Sequence, residues 1–175
     1  MNHHVVLTAV GADRPGLVDE VAGFVVERGG NVEDSRMINL RGQFAMVMLV
    51  GGGDETVARL RADLESLAGG CAVHAEITPA DAVPASALPA LPYKLQTWAM
   101  DHPGLLKSMS HLLGELGINI ESADTRLKEA PVTGTPLFEM ELVLAVPAET
   151  AIATLRDDLG RLCDELNMDW RLEAL

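Results

Sequence analysis

Apolar residues along this chain fall into two series that match step for step. The first opens with a short apolar strand, "HHVVLTAV", ending at Asp13, and continues with Leu17, Val18, Val21, Ala22 and Val25 at helical spacing. The second opens with "YKLQTWAM", ending at Asp101, followed by Leu105, Leu106, Met109, Leu112, Leu113 and Leu116. Gly29 and Gly117 stand where these helices should stop. A hairpin follows each helix, turning near Arg41 to Gln43 in the first series and around "KEAPVTGTP" in the second, a turn longer by six residues when Phe44 is aligned with Phe138. The third strands alternate, with Phe44, Met46, Met48 and Val50 on one face and Phe138, Met140, Leu142 and Leu144 on its counterpart. Second helices carry Val57, Leu60, Leu64 and Leu67, and Ile152, Leu155, Leu159, Leu162 and Leu166; the closing strands are "CAVHAEIT" and "MDWRLEAL".

Each series therefore reads β-α-β-β-α-β. The order predicts an α+β protein of two ferredoxin-like units, each a four-stranded antiparallel sheet with two helices on one face. Between them "TPADAVPASALPALP" has the composition of a stiff, extended linker. The expected division is residues 1–78, a linker at 79–92, and residues 93–175. Such a sheet leaves one face uncovered. Its third strand presents Glu139 and Glu141 in the second unit but Ala45 and Val47 in the first, so the first face is expected to be covered by the other unit or by another chain.

The two series share more than a pattern. "DRPGLVDEVAGFVVERGGNVE" (Asp13 to Glu33) and "DHPGLLKSMSHLLGELGINIE" (Asp101 to Glu121) agree in an Asp-x-Pro-Gly-Leu opening and a Gly-x-Asn-x-Glu close, while the body between keeps only its apolar spacing. Residue by residue this is ordinary helix punctuation, with Asp as N-cap, Pro in the first turn and Gly after the last. In combination, a strand end, an acid, a Pro-Gly without side-chain bulk and the free N–H groups of a helix start form a corner suited to a small zwitterion. A helix of about 14 residues separates the two ends of each motif by roughly 20 Å, so one small ligand cannot touch both. Asp13 would need an Asn from a neighbouring unit whose helix runs the other way. Within the chain that is Asn119, and reciprocally Asp101 would meet Asn31; a pairing between chains satisfies the same geometry.

These segments, each inside β-α-β-β-α-β, resemble the ACT domain, a regulatory amino-acid-binding module, and the resemblance covers all but the linker. Two such domains in about this length are most similar to the glycine cleavage system transcriptional repressor family. The resemblance implies a non-enzymatic regulator that senses glycine, or a related small amino acid, and acts on a transcriptional activator by protein contact. It also implies ligand-binding roles for Asp13, Arg14, Pro15, Gly16 and Leu17 with Asn31, and for Asp101, His102, Pro103, Gly104 and Leu105 with Asn119. Arg14 pairs with a carboxylate at any pH, whereas His102 does so only when protonated, which makes the corners unequal.

Composition narrows the rest. With 13 Lys+Arg against 26 Asp+Glu the net charge is −13, and aromatics are 3%; both argue against direct nucleic-acid binding. No run approaches the roughly 18 apolar residues of a membrane span, and "MNHHVVLTAV" lacks a basic leader, so a cytoplasmic protein is expected. Cys71 and Cys163 have neither metal nor disulfide spacing and are expected in a strand and a helix as free thiols. His3 and His4 are adjacent and point to opposite strand faces, a solvated N-terminus, and His74, His102 and His111 have no local partner, so no metal is expected. No cofactor motif or nucleophile elbow appears. "ESADTRLKEAPVTGTP" reads as a solvated strand and hairpin and a candidate partner contact. A homodimer is expected from the uncovered sheet. Two competing functions remain open: the regulatory subunit of a metabolic enzyme, and an interaction module with vestigial corners.

Overall fold

The computed structural model describes residues 3–80, 89–129 and 134–175. Two compact units emerge, Met1–Ala85 and Ser86–Leu175. In the first, β1 (His3–Ala12), α1 (Leu17–Glu27), β2 (Asn31–Leu40) and β3 (Gln43–Gly52) are followed by α2 (Asp54–Ala62), α3 (Leu64–Cys71) and β4 (Val73–Pro79). The second runs β5 (Ala90–Met100), α4 (Leu105–Glu115), β6 (Asn119–Glu129), β7 (Pro136–Pro147), α5 (Ile152–Glu165) and β8 (Met168–Ala174). Both sheets are antiparallel and ordered alike, β2-β3-β1-β4 and β6-β7-β5-β8. Both ends of the expected linker are strand, since β4 runs through Pro79 and β5 begins at Ala90; residues 81–88 lie outside the described residues.

Alternation puts the expected third-strand residues inside. Met46, Met48 and Val50, and Met140, Leu142 and Leu144, are all at most 2% exposed, beneath α1 and α4 residues such as Val21, Val25, Met109 and Leu113. Each unit closes its own core, and the methionines of β3 and β7 fill it as flexible apolar side chains do. Val18 and Leu106, expected on the buried helix faces, point outward instead. They occupy equivalent positions next to Leu17 and Leu105, which take the inward direction.

Three expectations need correction. α1 and α4 have 11 residues each, not 14, or about 16 Å at the helical rise. The second helix of the first unit is broken at Asp63, so that unit carries three helical segments. Arg28, packed 3.8 Å over the Phe24 ring, donates Nε to Asp63 Oδ2 at 2.9 Å and pins the break from 35 residues away. Cys71 closes α3 rather than opening a strand, and Ala72 turns the chain in the left-handed region (φ 53°). His3 and His4 sit in β1 as expected, with Nε2 atoms 2.8 Å from Asp54 and 3.1 Å from Glu33.

The Glu that ends each motif has a structural reason. A register irregularity lies between Val32 and Asp34 in β2 and between Ile120 and Ser122 in β6, so Glu33 and Glu121 occupy the same bulge in each unit. The β2–β3 hairpin turns at Arg41 and Gly42, both left-handed (φ 52° and 82°), as a two-residue turn demands. Much of its longer counterpart, residues 130–133, lies outside the described residues.

Candidate ligand-binding corners

The repeated Asp-x-Pro-Gly segment forms the same corner in both units. β1 ends at Ala12, the chain crosses Asp13 to Pro15, and Gly16 enters the left-handed region at φ 86° before α1 begins; Gly104 does the same at φ 103° before α4. The N-cap is therefore the glycine, with no side-chain cap, and the carbonyls of Gly16 and Gly104 accept from Glu20 N at 3.0 Å and Ser108 N at 2.9 Å. The expectation of Asp as N-cap with Pro in the first turn is thus displaced by three positions. Only a residue without Cβ takes this φ freely, which explains the invariance of Gly between the copies.

What each Asp does instead is tie the corner to the adjacent hairpin. Asp13 N donates to Gly42 O at 2.8 Å, and Asp101 N to Pro136 O at 3.0 Å. In the first unit the side chain joins in. Asn39 Nδ2 donates to Asp13 Oδ2 at 2.6 Å while Asn39 Oδ1 accepts from Gly42 N at 3.0 Å, so one amide holds corner and turn together. Asn39 was not among the candidates, and its only signal was an Asn two residues before the tight turn. The equivalent position in the second unit is Leu127, and the Asp101 carboxylate has no partner among the described residues.

Arg14 is committed elsewhere. Its guanidinium donates through both Nη atoms to the two Glu20 oxygens at 2.6 Å, and Nη2 reaches Cys71 O at 3.5 Å. The Arg14 hydrogen bonds, helped by the Cys71 thiol, hold the Glu20 carboxyl down at about 2, while burial pushes the Cys71 thiol up. Arg14 therefore clamps the start of α1 to the end of α3. His102 has no such role: its Nδ1 lies 3.3 Å from Pro103 O and its ring is exposed. Leu17 and Leu105 are buried at 1% and 2% and anchor the helix starts in the cores.

Asn31 and Asn119 open β2 and β6 and are exposed. Asn31 is level with His4 through Gly51, whereas Asp13 lies beyond Ala12 at the opposite end of the sheet. Nine strand residues of about 3.3 Å separate those levels, roughly 30 Å. Each unit thus keeps its Asp and its Asn at opposite ends, and neither completes an Asp–Asn site alone. Among the described residues no group of three or more His, Cys, Asp or Glu stands close enough to hold a metal ion.

The model of the ACT domain family matches residues 3–78, the whole first sheet with its helices. The second unit repeats that strand order and that corner. The first unit is an ACT domain. The chain is 27% identical over 165 residues to the glycine cleavage system transcriptional repressor of Escherichia coli (strain K12), covering 94% of this chain and 86% of that one. A crystal structure of an unknown protein from Galdieria sulphuraria superposes with a TM-score of 0.82 at 27% identity, covering 100% of this chain and 99% of the other. A second, provisionally described as a glycine cleavage system transcriptional repressor, superposes at 0.75 with 22% identity and 98% of its length, and shares the fold. The tandem ACT architecture supports a ligand-binding regulatory role, and the curated relative is a regulator rather than an enzyme. No helix among the described residues is long and apolar enough to cross a membrane.

Proposed function

We propose that this protein is a small-molecule-responsive regulator that binds glycine, or a related small amino acid, at corners completed by a second ACT unit, and modulates a transcriptional regulator by protein contact. One observation carries the reading. The corner is built twice with the same left-handed glycine and backbone bonds, although the side chains around it differ. A backbone frame kept through such change has the properties of a binding cradle. The ligand carboxylate would take backbone N–H groups at the helix start, and its ammonium the Asp.

The two corners are not equivalent in this reading. Asp13 is occupied by Asn39 and Arg14 by Glu20, whereas Asp101 has no side-chain partner among the described residues. The corner of Asp101 with Asn31 is the stronger acceptor, and that of Asp13 with Asn119 the more rigid and weaker one. The pairing places Asn31 and Asp101 across an interface within the chain or in a homodimer. A protein partner rather than DNA accords with a net charge of −13. Linkage requires the ligand to favour one partner state, and a tenfold preference is worth about 1.4 kcal/mol. Calorimetric titration of the full chain with each of the twenty amino acids tests the reading; silence from all of them at millimolar concentration would reject it.

A further inference from the structure

Away from the corners, the outward face of the second sheet carries a depression of about 120 Å³. The register builds its walls as two cross-strand rows: Arg126 opposite Glu139 opposite Trp98, and Asp124 opposite Glu141 opposite Gln96. Side chains alternate along a strand, so all six project to the same side, away from the helices. Directly opposite residues in such rows stand about 4.5–5.5 Å apart, close enough for one small molecule to touch several of them.

The charges in this grid are not all paired among the described residues. Glu141 accepts from Lys94 Nζ and from Gln96 Nε2, each at 2.9 Å, and the Lys94 ammonium holds its carboxyl below the usual range. Glu139 pairs with Lys128 at 2.6 Å. Arg126 adds to the field that keeps Glu141 ionised but, like Asp124, makes no hydrogen bond or ion pair among the described residues. A guanidinium and a carboxylate without partners among the described residues thus stand two residues apart on one strand face, with the partly exposed Trp98 at the end of the row. The fold does not require any of this. The same register positions in the first unit hold Ile38, Ala45 and Val10, and Arg36, Val47 and Thr8.

We propose that this face is a second ligand site, for a small zwitterion of the amino-acid or betaine class. Its carboxylate pairs with Arg126 and its ammonium with Asp124, while its aliphatic or N-methyl carbons lie on the Trp98 indole, whose π face favours a cation. Lys94 and Lys128 neutralise the remaining carboxylates, so the grid accepts a molecule without net charge and disfavours a free anion or cation. The site shares no residue with the Asp101 and Asp13 corners and does not rest on their function.

The test uses the full chain with Trp170→Phe, which leaves Trp98 as its single tryptophan. Glycine, L-alanine, L-serine and glycine betaine are titrated separately in the millimolar range while Trp98 emission is followed, and the wild-type chain is titrated in parallel by calorimetry. At least one probe is expected to give a saturable change that Arg126→Ala and Asp124→Asn each weaken by about tenfold or more, and that Asp101→Ala leaves in place. The proposal is overturned if no probe saturates either signal, or if the saturable Trp98 change survives both grid substitutions. A signal lost with Asp101→Ala but kept in the grid variants assigns the ligand to the corner alone and equally overturns it.

Discussion

Thr97 offers the sharpest energetic test of the second core. It lies on β5 between Leu95 and Ala99, is 1% exposed, and its Oγ1 has no hydrogen-bond partner among the described residues. The first unit places Ala9 at the same register position, so the sheet needs no hydroxyl there. Leaving a buried hydroxyl unsatisfied costs about 1–3 kcal/mol, and Thr97→Val removes that cost while keeping the side chain's shape. Thr97→Val should therefore stabilise the second unit by about 1–3 kcal/mol, each kcal/mol raising the midpoint by roughly 4–8 °C for a unit of this size. Thr97→Ala removes the hydroxyl but also a methyl, so it should fall clearly below the valine variant. Urea unfolding followed by tryptophan fluorescence isolates the unit, because Trp98 and Trp170 both belong to it. A valine variant no more stable than wild type would refute the reasoning and show that the hydroxyl is satisfied.

Other outcomes are equally definite. Gly104→Ala and Gly16→Ala meet nothing closer than 3.7 Å, so their cost is conformational, about 1–2 kcal/mol each, read as a lowered urea midpoint with unchanged far-UV circular dichroism. The Glu20 carboxyl, held at about 2 against an ordinary 4.5, stabilises the fold above pH 4.5 and loses that contribution as pH falls toward 2. Melting temperature against pH should accordingly drop more steeply over that interval in wild type than in Glu20→Gln, and parallel curves would contradict the clamp. Cys163, pushed up to about 11 by burial and then by the Asp164 charge, should resist iodoacetamide at pH 8 in the folded chain and react on unfolding, as mass spectrometry would show.

The fold was legible because its signals are local. Alternation in β3 and β7 and helical spacing in α4 and α5 each lie within one element, and the duplicated order then gives the sheet topology. What escaped the sequence depends on contacts between distant residues. The break at Asp63 is made by Arg28, and the Arg14 clamp by Glu20 with the end of α3. Without Arg28 in view, Val57, Leu60, Leu64 and Leu67 read as one helix. The corner itself was half legible. Asp-x-Pro-Gly marked its place, but the left-handed Gly16 and Gly104 move the cap off the Asp, and Asn39 enters only once the hairpin folds back onto it. The grid of the second sheet was visible only as Glu139 and Glu141 facing outward; its Arg126 and Asp124 emerge from the register.

The most direct test of the central claim is a calorimetric titration of glycine into the full chain and into Asp101→Ala and Asn31→Ala. The account predicts saturable binding to wild type, of which the component at the Asp101 corner is lost with either substitution while unfolding free energies stay within about 1 kcal/mol, since both residues are exposed. A glycine isotherm that neither substitution changes, or no binding by glycine or any other amino acid, would contradict it.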